Sequence, residues 1–151
     1  MSSKSRSILI WIPAIIWMLI IFLFSNQPGG GSGALSKMVM AFLAKYGLDF
    51  QAWFGEHAVW VLRKLAHFSI YFILFLLLQW PIRSLKPWKT GKWIALGVTV
   101  LYAASDEFHQ LFIPGRVGDI LDVGIDSLGA ITAFLLLALF FWLRSRKQAK
   151  T

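Results

Sequence analysis

Of the chain's 151 residues, 58% are hydrophobic and 16% aromatic, where an ordinary soluble domain averages about 45–50% apolar. That composition argues against a soluble globular domain and for an integral membrane protein. Cysteine is absent, which excludes a disulfide framework, a thiol nucleophile and a thiolate metal site; the formal charge of +8 points to nucleic acid or to an anionic surface, depending on where the charges fall.

After a basic start with Lys4 and Arg6, residues 8–24 form a continuous apolar run of about the length a spanning helix needs. A cleaved signal peptide would have a shorter apolar region ending at a small-x-small site, so the run reads as a first transmembrane helix. Pro28-Gly-Gly-Gly-Ser-Gly33 then reads as a flexible breaker without helical preference. Beyond it Leu35, Met38, Val39, Phe42, Leu43 and Tyr46 recur at helical spacing and form one apolar stripe. The stripe predicts an amphipathic helix in the membrane interface, anchored by Phe50, Trp53 and Phe54, or a helix packed on the outside of the bundle.

A second span is predicted over about residues 57–80, ended by Pro81 and carrying Arg63, Lys64, His67, Ser69 and Tyr71 in its first part. A loop over residues 81–92 holds Arg83, Lys86, Lys89 and Lys92 and is broken by Pro87 and Gly91. A third span follows over about 93–112, Pro114-Gly115 turns the chain, and a fourth runs over about 119–143 into Arg144, Arg146, Lys147 and Lys150. The predicted fold is all-α: one membrane domain over residues 1–151, a four-helix bundle with the amphipathic helix in its first outer loop. Four spans place both termini and the 81–92 loop on one side, which collects ten of the 15 basic residues and none of the seven acidic ones. By the positive-inside rule that side is cytoplasmic. The basicity is thus a topology signal that needs no nucleic-acid partner, and the expected protein is multi-pass, with membrane lipids as surroundings.

This orientation brings the polar residues of three spans into one slab in the outer half of the bilayer. Lys64, His67 and Tyr71 share a face of the second span, and Arg63 lies one turn from His67. Asp119, Asp122 and Asp126 stand at i, i+3 and i+7 on the fourth span. On the third, Asp106 lies one turn from His109 and Gln110, and Glu107 one turn from Gln110. Gly115, Gly118, Gly124 and Gly129 suit close backbone approach or a tight turn around Arg116. Arg63, Lys64 and Arg116 against Asp106, Glu107, Asp119, Asp122 and Asp126 leave a net charge of −2. A dry interior would demand compensation: a protonated carboxyl, a protonated His67 or His109, or a bound divalent cation.

Phe-Ser-Asn-Gln at 24–27, Arg-Lys-Leu-Ala-His-Phe-Ser-Ile-Tyr at 63–71, and D-E-F-H-Q-L-F-I-P-G-R-V-G-D-I-L-D-V-G-I-D-S-L-G at 106–129 resemble the VanZ-like family of small bacterial membrane proteins. The resemblance spans nearly the whole chain. It implies a role at the cell envelope, and the family takes its name from a protein associated with teicoplanin resistance.

The leading functional expectation is an outward-facing pocket that binds, or acts on, an anionic envelope lipid or lipid-linked glycan. Lys64, Arg63 and Arg116 would hold the anion. His67, Asp106, Glu107 and His109 are the candidate general acids or bases, while Asp119, Asp122 and Asp126 would orient them or hold a cation. Ser25, Gln27, Tyr71 and Gln110 are further polar candidates. No established metal motif surrounds His67, since D-E-F-H differs from H-E-x-x-H. The rival expectation is a non-catalytic scaffold for an envelope precursor, a glycopeptide or a partner, with the charges as structural glue; a proton or ion carrier is the third and weakest, because the inner halves of the spans offer almost no polar path.

Overall fold

The computed structural model describes residues 8–148; Lys4, Arg6 and Lys150, assigned above to the basic side, lie outside them. The described residues are helical with no strand: α1 (Ile12–Ser25), α2 (Gly29–Ala44), the short α3 (Phe50–Phe54), a 3-10 turn (Gly55–His57), α4 (Ala58–Leu85), α5 (Trp88–Gln110) and α6 (Ile120–Gln148). The stretch Phe50–Leu85 and α6 are long and apolar enough to cross a membrane. α1 and α2 meet that test only as a pair, bent by 112° at their junction. α5, at 23 residues, has the length but carries Lys89, Lys92, Asp106 and Glu107 and falls short in apolarity.

Two breaks expected from the sequence are not where they were placed. The Pro28–Gly33 stretch does not stay irregular: Pro28, with extended backbone, precedes α2, whose first turn is built from the glycines. A contact outside the helix explains this better than propensity. The Gly29 N–H donates to the Pro114 carbonyl at 3.2 Å, and a Cβ on Gly29 would fall 1.9 Å from the Gly115 oxygen. Pro81 does not end the second long helix either, because α4 runs through it to Leu85. The ring is fully buried, and its carbonyl is engaged by the Ser84 hydroxyl at 2.7 Å. Apolar packing thus offsets the N–H that proline lacks. The expected 81–92 loop shrinks to Lys86 and Pro87, and Gly91 is an interhelical contact whose Cβ would lie 3.2 Å from the Ile82 side chain.

α4 packs chiefly on α6 and α5. Tyr71, Leu74, Phe75 and Leu78 meet Ala95 and Ala103 of α5 and Ala130, Ala133 and Phe134 of α6, all buried. The alanines let the backbones approach, as small residues do between membrane helices. Gly129 sets the closest point, since a Cβ there would lie 2.1 Å from the Phe68 carbonyl oxygen. α1 is pinned to this core by Trp17 Nε1, which donates to the Ile70 carbonyl at 2.9 Å, and by the Tyr102 hydroxyl, which donates to Met18 at 2.7 Å. The end formed by the C-termini of α4 and α6 and the start of α5 is basic and aromatic: Arg83 lies over Phe141, Arg146 over Trp142 and Lys92 over Trp93. The carboxylates gather at the opposite end.

α2 buries no residue. Met38, Val39, Phe42 and Tyr46 are exposed, while Leu35 and Leu43 are half-buried. The stripe therefore divides: Leu35 and Val39 turn toward α1 and α4, and Met38, Phe42 and Tyr46 lie on the exposed outer face.

Candidate functional site

The polar end is assembled from α4, α5, the 111–119 turn and the start of α6. Asp119 caps α6, its Oδ1 accepting the Leu121 N–H at 2.9 Å, as side chains at helix starts do. That cap fixes the register of the next turn, so that Asp122 meets the Lys64 ammonium and Asp126 meets His67. The His67 Nδ1 to Asp126 Oδ1 distance is 3.1 Å. With Nδ1 engaged by a wholly buried carboxylate, Nε2 is the ring nitrogen left for ligation or proton transfer.

Asp106, Glu107 and Gln110 lie on the inner face of α5 and are buried. Gln110 Nε2 donates to Asp106 Oδ2 at 3.2 Å and to Glu107 Oε1 at 3.0 Å. Glu107 Oε2 accepts the Asp119 N–H at 3.1 Å, which joins α5 to the cap of α6. One donor atom from each of His67, Glu107 and Asp122 lies within 4.8 Å of the others. Nitrogen and carboxylate oxygen in that arrangement could hold a divalent cation, although Lys64 already brings one positive charge to Asp122.

Arg116 sits in the turn after Gly115, whose φ of +72° suits a residue without a Cβ. Its Nε donates to the Gln27 carbonyl and its Nη2 to the Phe24 carbonyl, both at 3.1 Å, and Nη1 donates to Gln110 Oε1 at 3.3 Å. The guanidinium therefore closes the C-terminal end of α1, where the helix dipole favours a cation, adding to the Gln27 N–H that the Phe24 carbonyl also accepts at 3.3 Å. All these acceptors are neutral. Burial first, then the neighbouring Arg63, pull the Arg116 pKa below the usual arginine range, against the opposing pull of Asp106, Glu107 and Asp122. Arg63 is half-buried and has no hydrogen bond or ion pair among the described residues.

Two cavities meet at these groups. One, of about 460 Å³, is a polar basin bounded by Lys64, Gly118, Asp119 and Asp122. The other, of about 260 Å³, is walled by apolar side chains of α1, α2 and α4, including Ile21, Leu35, Val39 and Ile70. Arg63, His67, Gln110 and Arg116 line both.

Of the residues singled out in the sequence, Arg63, Lys64, His67, Asp106, Glu107, Gln110, Arg116, Asp119, Asp122 and Asp126 converge on this end. Ser25 and Gln27 line the apolar cavity. Tyr71 lies one helical turn deeper, fully buried, its ring 6.4 Å from that of Tyr102. His109 stands apart: it stacks on Phe22 at 5.0 Å, and its Nε2 is 3.4 Å from Asn26 Oδ1. Sequence reasoning missed the carbonyls of Phe24 and Gln27 as partners of Arg116. The signal available was the end of an apolar run, which must leave such carbonyls behind.

No curated protein and no solved structure matches the chain. The family model VanZ/LLP1 matches residues 10–141, which include every residue that lines the two cavities. This helical membrane protein therefore belongs to the VanZ/LLP1 family.

Proposed function

We propose that the chain is a multi-pass protein of the bacterial cytoplasmic membrane that binds an anionic envelope lipid or lipid-linked glycan in a pocket open to the outer surface. In this reading α1, α4, α5 and α6 form a four-helix bundle with both termini in the cytoplasm, supported by the basic, aromatic-belted end opposite the carboxylates. The observation that carries the reading is Arg63, a cation with no hydrogen bond or ion pair among the described residues, beside an Arg116 whose hydrogen bonds all go to neutral acceptors. Two guanidiniums that repel one another at the rim of a basin are relieved by an anion between them, and a phosphate takes paired N–H donors from arginine. His67, backed by Asp126, is the group placed to move a proton at the bound head group, with Glu107 and Asp106 behind it; His109 plays no part there. By holding such a lipid or precursor the protein would lower susceptibility to glycopeptides such as teicoplanin, in keeping with the family's name.

The test is Arg63→Gln, which removes the charge from a residue that makes no structural bond. It is expected to insert normally, to bind an anionic lipid such as phosphatidylglycerol about tenfold or more weakly in nanodisc titrations, the scale of a lost charged hydrogen bond, and to lose any glycopeptide tolerance the wild type confers. Wild-type binding and tolerance in this variant would refute the anion site. One observation favours a second reading, a scaffold for a partner: Met38, Phe42 and Tyr46 of the α2 stripe are exposed among the described residues.

A further inference from the structure

The apolar cavity contains a polar anomaly. Ser25, the last residue of α1, is 5% exposed, lines the cavity, and its Oγ has no hydrogen-bond partner among the described residues. A buried hydroxyl left unpaired is costly, and a pure hydrocarbon in the cavity would leave it so. Ser25 directly follows Phe24, whose carbonyl is held by Arg116, so the hydroxyl lies at the level of the guanidinium. Leu35 and Val39 of α2 and Ile21 and Ile70 of α1 and α4 form the apolar wall. Ser32 and Ser36 also line the cavity, but Ser36 already donates to the Ser32 carbonyl, so the cavity offers a cationic rim, a buried and unpaired hydroxyl at Ser25 and an apolar channel.

Resting on the anion site proposed above, we infer that the ligand is an ester-linked phospholipid: its phosphate lies between Arg63 and Arg116, an ester carbonyl accepts from Ser25, and one acyl chain fills the cavity between α1, α2 and α4. An isoprenoid phosphate has the phosphate and the apolar chain but no carbonyl at the junction, so Ser25 distinguishes the two.

The experiment titrates the full-length protein in nanodiscs of neutral phosphatidylcholine with three probes: phosphatidylglycerol, a polyprenyl phosphate of similar chain volume, and glycerol phosphate, which has no chain. Leu35→Trp, which fills the cavity, is expected to weaken phosphatidylglycerol about tenfold or more while leaving glycerol phosphate unchanged. Ser25→Ala is expected to weaken phosphatidylglycerol about three- to tenfold, the scale of one hydrogen bond, and to leave the polyprenyl phosphate unchanged. Val39→Trp fills the same space from the next turn and serves if Leu35→Trp does not insert. Equal losses for both lipids in Ser25→Ala would overturn the ester assignment. Unchanged lipid binding in the tryptophan variants, with Arg63 still required, would overturn the chain site and leave the anion site standing. If wild type and Arg63→Gln bind every probe alike, the anion site itself fails and the chain assignment falls with it.

Discussion

Single atoms decide how close α4 and α6 come. Gly129 touches the Phe68 backbone, whereas Gly124, one and a half turns earlier on the same helix, has open space where a Cβ would be. Gly129→Ala should therefore force the helices apart and cost about 1–3 kcal/mol, a fall of roughly 2–12 °C in the melting temperature for a domain of this size. Gly124→Ala should be neutral, or stabilising by up to about 1 kcal/mol. Thermal unfolding in detergent compares the two, and equal melting temperatures would deny the close approach at Phe68. Both glycines looked alike in the sequence, because spacing along one helix carries no information about what lies opposite. The same holds for His109: its distance from Asp106 allowed it into the cluster, and only the position of α1 reveals that it faces Phe22 instead. By contrast, the shared face of Lys64 and His67 and the i, i+3, i+7 row of Asp119, Asp122 and Asp126 were legible, each from the repeat of its own helix, while the pairing of Lys64 with Asp122 and of His67 with Asp126 across the two helices was not.

At the scale of elements, the long apolar helices were readable and their interruptions were not. Apolar length is a property of one segment. Whether Pro81 ends a helix, or three glycines begin one, depends on neighbours far away in the sequence. α2 is the element whose role differs between the two functional readings. Phe42→Lys places a charge on its exposed outer face, away from Leu35 and from both cavities. A scaffold that recognises a partner through this face should lose its envelope phenotype with lipid binding intact. A lipid-binding protein should keep the phenotype, so measuring both in one strain separates the readings.

For the whole molecule, the segregation of charge is the basis of the proposed orientation. Because the chain has no cysteine, single cysteines report topology without background. One at Lys89, at the start of α5, should resist an impermeant thiol reagent applied to intact cells, and one at Ser32, at the start of α2, should react. The reverse labelling pattern would turn the pocket toward the cytoplasm and remove an envelope ligand from consideration. The bond between Arg116 and the end of α1 also bears on how the protein is made. The acceptor carbonyls precede their donor by 92 and 89 residues. At a synthesis rate of about 5–20 residues per second, α1 emerges on the order of ten seconds before the side chain that closes it exists. During that interval the Gln27 carbonyl lacks its guanidinium donor, whereas the Phe24 carbonyl has the Gln27 N–H at 3.3 Å. The bond is thus an assembly latch: the first helix can be docked finally only after the turn that leads into the last one has been translated.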